Sequence, residues 1–531
     1  MKKLREKHTW IELFFMVLLV IALIAPLIIT GVNHGNLINS DDSSEMVLAE
    51  ILSHKNFVLT RGWIYSTELP VVNTQIIRSV LFKFTDSWTA VRIWGNLVIS
   101  LWMLFSYGFF VKQLDVDRKW FWYTSPFLLI PFSYEAFYMI GLMEYYTPYI
   151  AFSFTILGLW LYLYRQKEHR RIAHVALLLC SFLSCLGGIR QIEMTFLPMI
   201  MTMFFLVLEH SNEIGNFITL FRKTYYLWTS LLSSLVGYFI NAKLFSKWFL
   251  FKDYGNMNLT QLTMEKIQII VRAFLNAMGY TEKVVDVEVF SLDGILYLLS
   301  LAFLCMLVLL VFVLWKRRKK LLPESQFLLW FSLAGLFLNI FLFLFTEIAV
   351  SARYFILNII MYVPLIIVFY RESGLALEVR RFYFFAMVLL ICLFGGKEYK
   401  KCLQSTANEA RNGHIAYLLE NQYTLGYANF WNANVLTELT EGKIEMVSLN
   451  CEGKGTPTLN PWLVKLENIY PPVPRKDVFL LLHENERRRS EKLIEGREPV
   501  FESEGYYIYL YDDTDEFLDL LHRSEEEEHG E

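Results

Sequence analysis

The sequence predicts a polytopic α-helical membrane protein, with about 11 transmembrane helices and a small α/β extracytoplasmic domain at its C-terminus. Three observations support this prediction. Apolar residues make up 55% of the 531 positions and aromatic residues 16%, which is more than a soluble protein of this length normally carries. Hydrophobic runs long enough to cross a bilayer recur along the chain. Basic residues gather in alternate links between these runs.

The hydrophobic runs define the first predicted domain, residues 1–396. Each run is roughly 15–25 residues long, which suits a membrane-spanning helix. The eleven candidates are residues 10–30, 91–111, 120–135, 148–164, 172–187, 194–208, 225–244, 294–315, 325–347, 354–370 and 382–395.

The basic residues orient these spans. Lys2, Lys3 and Arg5 precede the first run, and the positive-inside rule places them in the cytoplasm. The first run is too long for a cleaved signal peptide, so we expect a retained anchor. An odd number of spans then places the C-terminus outside. We predict a multi-pass protein of the cell membrane, surrounded by membrane lipids, with a cytoplasmic N-terminus and an extracytoplasmic C-terminus.

Two long outer loops, residues 31–90 and 245–293, interrupt the spans. Beyond them, residues 397–531 contain no spanning run and are long enough for one small domain.

Local patterns predict the elements of this C-terminal domain. Residues 443–449, 477–482 and 506–511 have the composition of strands. Residues 408–420 have a helical pattern, with Ile415, Leu418 and Leu419 facing inward. The acidic end, 525–531, is predicted to be disordered.

Several classes of function are disfavoured. The net charge of -3 argues against a nucleic-acid partner. No Walker loop or dinucleotide-binding fingerprint is present, so nucleotide-driven chemistry is not expected. The 6 cysteines lack zinc-binding spacing. A disulfide between Cys402 and Cys451, which both lie outside the apolar runs, is left open.

Three acidic residues follow the first span closely: Asp41, Asp42 and Glu45. The topology places them outside, near the membrane surface. A carboxylate there suits a general base that takes a proton from an acceptor hydroxyl. Asp42 and Glu45 also suit a divalent cation, Mg²⁺ or Mn²⁺, bridging a phosphate. The structural alternative is a capping box in which Asp42 caps a helix and Glu45 stands three residues on. Asp41 is not needed for that cap, so it is the better catalytic candidate.

Two arginines lie in short outer links, where the positive-inside rule makes them unexpected. They are Arg190 and Arg353. A guanidinium binds phosphate through two hydrogen bonds, so both are candidates for a lipid-linked phosphate, and Glu347 is placed to orient Arg353. The alternative is that both side chains snorkel to the lipid headgroups.

Further substrate-binding candidates lie in the other outer segments. Glu144 and Tyr145 occupy an outer link without lysine or arginine and could form part of a sugar pocket. Arg61 and Trp63 stand together in the first long loop, where arginine suits phosphate and tryptophan suits a sugar face. The more common role for such a tryptophan is in the aromatic belt at the membrane interface.

Residues 39–50, Asn-Ser-Asp-Asp-Ser-Ser-Glu-Met-Val-Leu-Ala-Glu, carry a family resemblance. The stretch resembles the acidic motif and juxtamembrane helix that follow the first span in the GT-C superfamily of membrane glycosyltransferases. That superfamily includes protein O-mannosyltransferases and the bacterial enzyme that adds aminoarabinose to lipid A. The resemblance covers roughly the first two thirds of the chain. Asp42 departs from the Asp-Glu pair common in mannosyltransferases, which leaves the choice between base and metal ligand open.

The resemblance implies a hexosyltransferase that uses a sugar on polyprenyl phosphate at the outer face of the membrane. The acceptor would be a cell-envelope glycan, lipid or protein, and a single displacement would invert the anomeric centre. Arg190 and Arg353 would meet the phosphate, and Asp41 would take the acceptor proton.

Two other functions are compatible with the sequence. One is a transporter or flippase for lipid-linked sugars, although no internal repeat supports it. The other is a noncatalytic assembly or receptor protein whose outer domain binds a partner.

Overall fold

The computed structural model describes residues 2–67, 69–142, 145–165, 169–209, 224–252, 258–281, 287–451 and 456–530. The chain folds into two compact units. The first unit, the helical unit, comprises Met1–Ile29, Asn96–Asn241 and Gly255–Leu403. The second, the mixed unit, comprises Thr30–Gly95, Ala242–Tyr254 and Gln404–Glu531. The predicted domain boundary between residues 396 and 397 stays a prediction, and the helix Leu377–Leu403 runs through it without interruption.

Long helices build the helical unit, and two of them, Lys2–Asn33 and Trp88–Gln113, continue into the mixed unit. Short π-helical turns Tyr138–Leu142, Ile192–Phe196 and Ile240–Leu244 interrupt the regular helices. The remaining α-helices are Lys119–Thr124, Pro126–Leu129, Tyr134–Phe137, Thr147–Arg165, Arg170–Cys185, Leu197–Glu209, Tyr225–Phe239, Met264–Ala277, Leu292–Arg317, Pro323–Phe345, Ala352–Met361, Val363–Glu372 and Leu377–Leu403.

Seven helical segments within the described ranges have the length and apolar composition needed to cross a membrane. This confirms a multi-pass membrane protein, whereas the predicted total of about eleven spans is not confirmed. The orientation of the termini stays a prediction. The seven segments are Trp10–Asn36, Trp88–Gln113, Thr147–Arg165, Ile192–Glu209, Leu292–Lys320, Pro323–Phe345 and Ala352–Glu372.

The mixed unit combines helices from the first outer loop with the predicted C-terminal domain. Its strands are β1 (Trp63–Tyr65), β2 (Leu250–Phe251), β3 (Leu425–Asn429), β4 (Glu445–Asn450), β5 (Thr458–Leu459), β6 (Val464–Lys465), β7 (Lys476–His483), β8 (Phe501–Ser503) and β9 (Tyr506–Asp513). Its α-helices are Ser40–Ser53, Thr74–Leu81, Asn412–Glu420, Phe430–Leu439, Leu466–Ile469, Glu484–Arg487, Glu491–Ile494 and Thr514–Gly530.

The larger sheet has six strands in the order β5-β4-β3-β7-β9-β8. Strand β3 is parallel to β4 and β7, while the pairs β4–β5, β7–β9 and β8–β9 are antiparallel. A second, three-stranded sheet has the order β2-β1-β6, in which β1 is parallel to β2 and antiparallel to β6. The second sheet therefore joins three chain segments that lie far apart in sequence.

Both faces of the six-stranded sheet are buried. Along β7, Val478, Leu480 and Leu482 contribute to one apolar cluster, and Phe479 and Leu481 to another. The first cluster includes Phe517 of the C-terminal helix, and the second includes Leu418 and Leu436 from two other helices. Since successive strand residues point to opposite faces, this core forms a sheet with helices on both sides.

The structure confirms the three predicted strands and the helix near residue 412, with two corrections. Leu419 does not face inward, because it is exposed while His414 and Leu418 occupy the buried face; these two residues are four apart and therefore lie on one side of a helix. The acidic end was predicted to be disordered, but it continues the helix Thr514–Gly530. No disulfide joins Cys402 to Cys451 or any other pair of the described cysteines.

Candidate functional site

The acidic segment opens the helix Ser40–Ser53, but its cap differs from the prediction. Asn39 is the N-cap, and its side-chain oxygen accepts a hydrogen bond from the Asp41 amide at 2.8 Å. Asp42 closes the capping box by accepting from the Asn39 amide at 3.1 Å. The expected box of Asp42 with Glu45 is therefore wrong by one helical turn. Asparagine caps a helix as well as aspartate does, so Asn39 takes the role.

The two aspartates have different surroundings. Asp42 is fully buried, and its carboxylate belongs to the capping box. Asp41 is half-buried. Asp42 therefore has a structural role at the helix start, and Asp41 is the member of the pair that is partly exposed to solvent.

Glu45, predicted as a metal ligand, binds protein groups instead. Its carboxylate accepts hydrogen bonds from Arg78 at 2.9 Å and from the Thr74 hydroxyl at 2.7 Å. Burial raises the pKa of Glu45 to about 7, although Arg78 opposes the rise. In the described part of the chain, no group of three or more His, Cys, Asp or Glu side chains could hold a metal ion. The predicted cation at Asp42 and Glu45 is not confirmed.

A second buried ion pair stabilises the same region. Arg92 donates to both carboxylate oxygens of Glu438, at 2.8 Å and 2.7 Å, and to the Asp42 carbonyl oxygen at 3.4 Å. Neither side chain of this pair is exposed. Burial alone would raise the pKa of Glu438, but Arg92 outweighs it and holds that pKa below its ordinary value. The ion pair between Arg92 and Glu438 therefore holds the start of the helix Ser40–Ser53 in place.

Sequence reasoning missed Arg78, Arg92 and Glu438. One signal was available, because Arg92 lies inside the predicted span 91–111, and a charge within an apolar run implies a buried partner. The partner itself could not be identified, since Glu438 is 346 residues away in sequence.

The helical unit contains a cluster of tyrosines around Arg190. The guanidinium carbon of Arg190 lies 4.7 Å from the Tyr146 ring centre, and 5.7–5.8 Å from the ring centres of Tyr145, Tyr149 and Tyr354. These distances are within the range of cation–π attraction. We call these five residues the Arg190 cluster. Tyr145 was a predicted binding residue, and the structure brings it together with Arg190.

Local backbone geometry places Arg190 in this cluster. The helix Arg170–Cys185 ends just before Gly188, which has a φ of 130°. Glycine adopts such angles without a steric penalty, so the chain turns sharply there. Arg190 follows two residues later, and Gln191 separates it from the π-helical turn Ile192–Phe196.

Arg353 lies beside the Arg190 cluster, with its guanidinium carbon 5.5 Å from the Tyr354 ring centre. It is also electrostatically coupled to Glu135. Glu347, predicted to orient Arg353, is exposed, and its carboxylate accepts a hydrogen bond from Asn258 at 3.0 Å. The structure therefore brings the two predicted arginines to one tyrosine, while the predicted contact from Glu347 to Arg353 is not confirmed.

The remaining predicted residues have other outcomes. Glu144 lies outside the described residues. Arg61 is exposed, and its predicted role in phosphate binding stays a prediction. Trp63 is fully buried in β1, so its expected place in an interfacial belt is wrong; the indole packs inside the mixed unit instead.

The helical unit also contains an apolar cavity of about 550 Å³ that is partly open to the outside. Aromatic and aliphatic side chains line it, including Phe274, Trp330 and Phe337. Asn358 and Ile359 of the helix Ala352–Met361 also line it. Because a helix rises 1.5 Å per residue, Asn358 lies about 7.5 Å along the axis from Arg353. The helix Ala352–Met361 thus carries Arg353 and also lines the apolar cavity.

Comparison with solved structures identifies the fold. The chain matches the crystal structure of ArnT from Cupriavidus metallidurans in the apo state, with a TM-score of 0.56 and 9% identity, over 95% of this chain and 98% of that one. It also matches ArnT from the same organism bound to undecaprenyl phosphate, with a TM-score of 0.55 and 11% identity, over 94% of this chain and 98% of that one. These likenesses confirm the fold expected from the GT-C resemblance. No protein-family model and no curated protein sequence matches the chain.

Proposed function

We propose that the protein is a membrane glycosyltransferase that moves a sugar from a polyprenyl-phosphate donor to an acceptor hydroxyl at the outer face of the membrane. The observation that carries the proposal is the Arg190 cluster with Arg353 beside it, in a chain whose fold matches ArnT, including ArnT bound to undecaprenyl phosphate.

The arrangement of the two arginines suits a phosphate. Each guanidinium presents planar donors that match phosphate oxygens. The tyrosine rings hold Arg190 in place, and a hydrogen bond joins the side chains of Arg190 and Tyr146. Burial raises the pKa of Tyr146, with Arg190 opposing the rise, so the phenol stays protonated at neutral pH.

The apolar cavity suits the lipid part of the same donor. Its volume of about 550 Å³ lies within the range of about 300–1,000 Å³ found for ligand pockets. Its lining is almost wholly hydrocarbon, and Arg353 lies on one of its helices. A prenyl phosphate has an anionic head followed by an apolar chain. The head would bind Arg353 and the chain would occupy the cavity, so the helix Ala352–Met361 would serve both parts of the donor.

The proposed reaction is a single displacement. The acceptor hydroxyl oxygen forms a bond to the anomeric carbon while the bond from that carbon to the phosphate oxygen breaks. Polyprenyl phosphate leaves with the electron pair, and Arg190 and Arg353 stabilise its growing charge. Asp41 accepts the proton of the hydroxyl. One displacement inverts the configuration of the anomeric carbon.

Transfer from polyprenyl-phosphate sugars to a cell-envelope extract, with purified protein in liposomes, tests the proposal. Arg190→Ala or Arg353→Ala should lower kcat/KM by about 10- to 150-fold, since each removes charged hydrogen bonds. Asp41→Asn should lower kcat by about 10²–10⁴-fold. Arg381→Ala, which alters an exposed arginine, is the matched control.

The Asp42→Asn variant tests whether Asp42 acts as a general base or only as part of the helix cap. The asparagine keeps an oxygen for the Asn39 amide, so this variant should retain most of the activity. Sugar transfer by Asp41→Asn at the wild-type rate would exclude Asp41 as the base. Flipping of lipid-linked sugars without any transfer would exclude the proposed enzyme and favour a flippase.

A further inference from the structure

The mixed unit contains a small polar cavity that the proposed reaction does not use. Its volume is about 200 Å³, and it lies between the helices Ser40–Ser53 and Phe430–Leu439 and the strands β4 and β6. This volume is below the range of about 300–1,000 Å³ of pockets for drug-sized ligands. The cavity therefore has room for about one small ring. The polar and ring side chains of the lining are Glu50, Trp88, Thr437, Glu441, Glu445, Lys465 and Asn468.

Two buried residues bring hydrogen-bond donors to this cavity. Asn468 is only 3% exposed, and its side-chain oxygen accepts from Arg475 at 3.5 Å. Its amide nitrogen donates to none of the described residues. The same holds for the indole nitrogen of Trp88, which is 5% exposed. Neither nitrogen is among the described buried polar atoms that lack a partner, so solvent reaches both of them, and each can donate to an acceptor oxygen of a ligand in the cavity.

The acidic side chains supply the matching acceptors. Glu445 is neutralised by Lys465 at 2.8 Å and by Arg475. Glu50 contacts His54 at 3.1 Å, and Glu441 is exposed at the rim. The described carboxylates do not converge into a metal-binding group. The lining therefore offers separate acceptors, which suit hydroxyl donors better than a metal ion, and its excess of negative charge repels anions.

We propose that this cavity binds one sugar residue that carries free hydroxyl groups and no negative charge. Hydroxyls donate to Glu50 and Glu441 and accept from Asn468 and the indole N–H of Trp88, while the apolar part of the indole contacts the ring carbons. Assigning this sugar to the acceptor glycan rests on the proposed function, whereas sugar binding itself does not.

Saturation-transfer NMR on the full chain in nanodiscs, free of sugar-based detergents, tests the inference. The probes are methyl glucoside, methyl galactoside and N-acetylglucosamine, with glucuronate as the anionic comparison. At least one neutral probe should bind saturably, and glucuronate should not. Asn468→Asp keeps the shape and the contact to Arg475 but removes the donor, so it should weaken binding by about 10-fold. Glu441→Gln should weaken it by about 5-fold, since hydrogen bonds to charged groups are stronger.

Glu498→Gln changes an exposed carboxylate elsewhere in the same unit and should leave binding unchanged. The inference is overturned if no neutral probe binds saturably, if glucuronate binds equally well, or if Asn468→Asp and Glu441→Gln both bind like the wild type. If sugar binding were absent while sugar transfer stayed intact, the inference about this cavity would be refuted and the proposed function would stand. Intact sugar binding in a protein without transfer activity would refute the proposed function alone.

Discussion

Substituting Glu438 by glutamine should destabilise the mixed unit strongly. Arg92 is fully buried and gives two hydrogen bonds of 2.8 Å and 2.7 Å to the Glu438 carboxylate. Glutamine retains one acceptor oxygen but no charge, so the guanidinium stays buried without its counter-ion. Removing one partner of a buried ion pair costs about 3–5 kcal/mol. At about 2–4 °C per kcal/mol for a folding unit of 150–250 residues, the expected fall in Tm is ~6–20 °C.

Thermal unfolding of the purified full chain, followed by near-ultraviolet circular dichroism, measures this effect. Glu441→Gln is the matched control, because that carboxylate lies three residues away and is exposed. A double variant, Arg92→Met with Glu438→Leu, should recover most of the lost stability, since a buried ion pair can be replaced by apolar residues at little cost. A fall in Tm no larger than that of the control would refute the inference that the charge of Glu438 is needed to stabilise the buried Arg92.

Three further predictions concern residues of the mixed unit. Burial raises the pKa of Glu45 to about 7, above its ordinary value, so the protonated form favours folding. The contribution of Glu45 to stability should therefore be full below about pH 4.5 and fall as the pH rises through 7. Tm measurements across pH should show this dependence in the wild type and not in Glu45→Gln. His414 is fully buried, neither ring nitrogen has a hydrogen-bond partner among the described residues, and burial lowers its pKa to about 3; stability should therefore fall as the pH drops from 6.5 toward 3, and His414→Leu should resist acid better than the wild type. Gly442 has a φ of 76°, and a Cβ there would lie 3.0 Å from the Trp88 ring, so Gly442→Ala should cost about 1–3 kcal/mol in chemical unfolding; an unchanged midpoint would contradict that strain.

Local patterns predicted the elements that depend on local physics. The strand β7 alternates between two buried faces, and such short runs of apolar residues are visible in the sequence. The capping box was predicted one turn too late, because Asn39 and Asp42 compete for the same cap and both are good candidates. Only the backbone geometry decides between them.

The buried ion pairs could not be predicted from the sequence. Glu45 has the spacing of a capping residue, yet its partner Arg78 lies 33 residues away. The Arg190 cluster was only half visible: Tyr145 and Arg190 were both candidates, but Tyr354 comes from a helix far along the chain. Side chains that meet through folding leave no periodic signal.

The pairing of Arg92 with Glu438 has a consequence for protein synthesis. The two residues are 346 positions apart, and chains grow at about 5–20 residues per second. Glu438 is therefore synthesised ~17–70 s after Arg92. During that interval the helix Ser40–Ser53 also lacks the helix Phe430–Leu439. A chain that stops before residue 438 carries a permanently unmatched charge in a segment built to be buried.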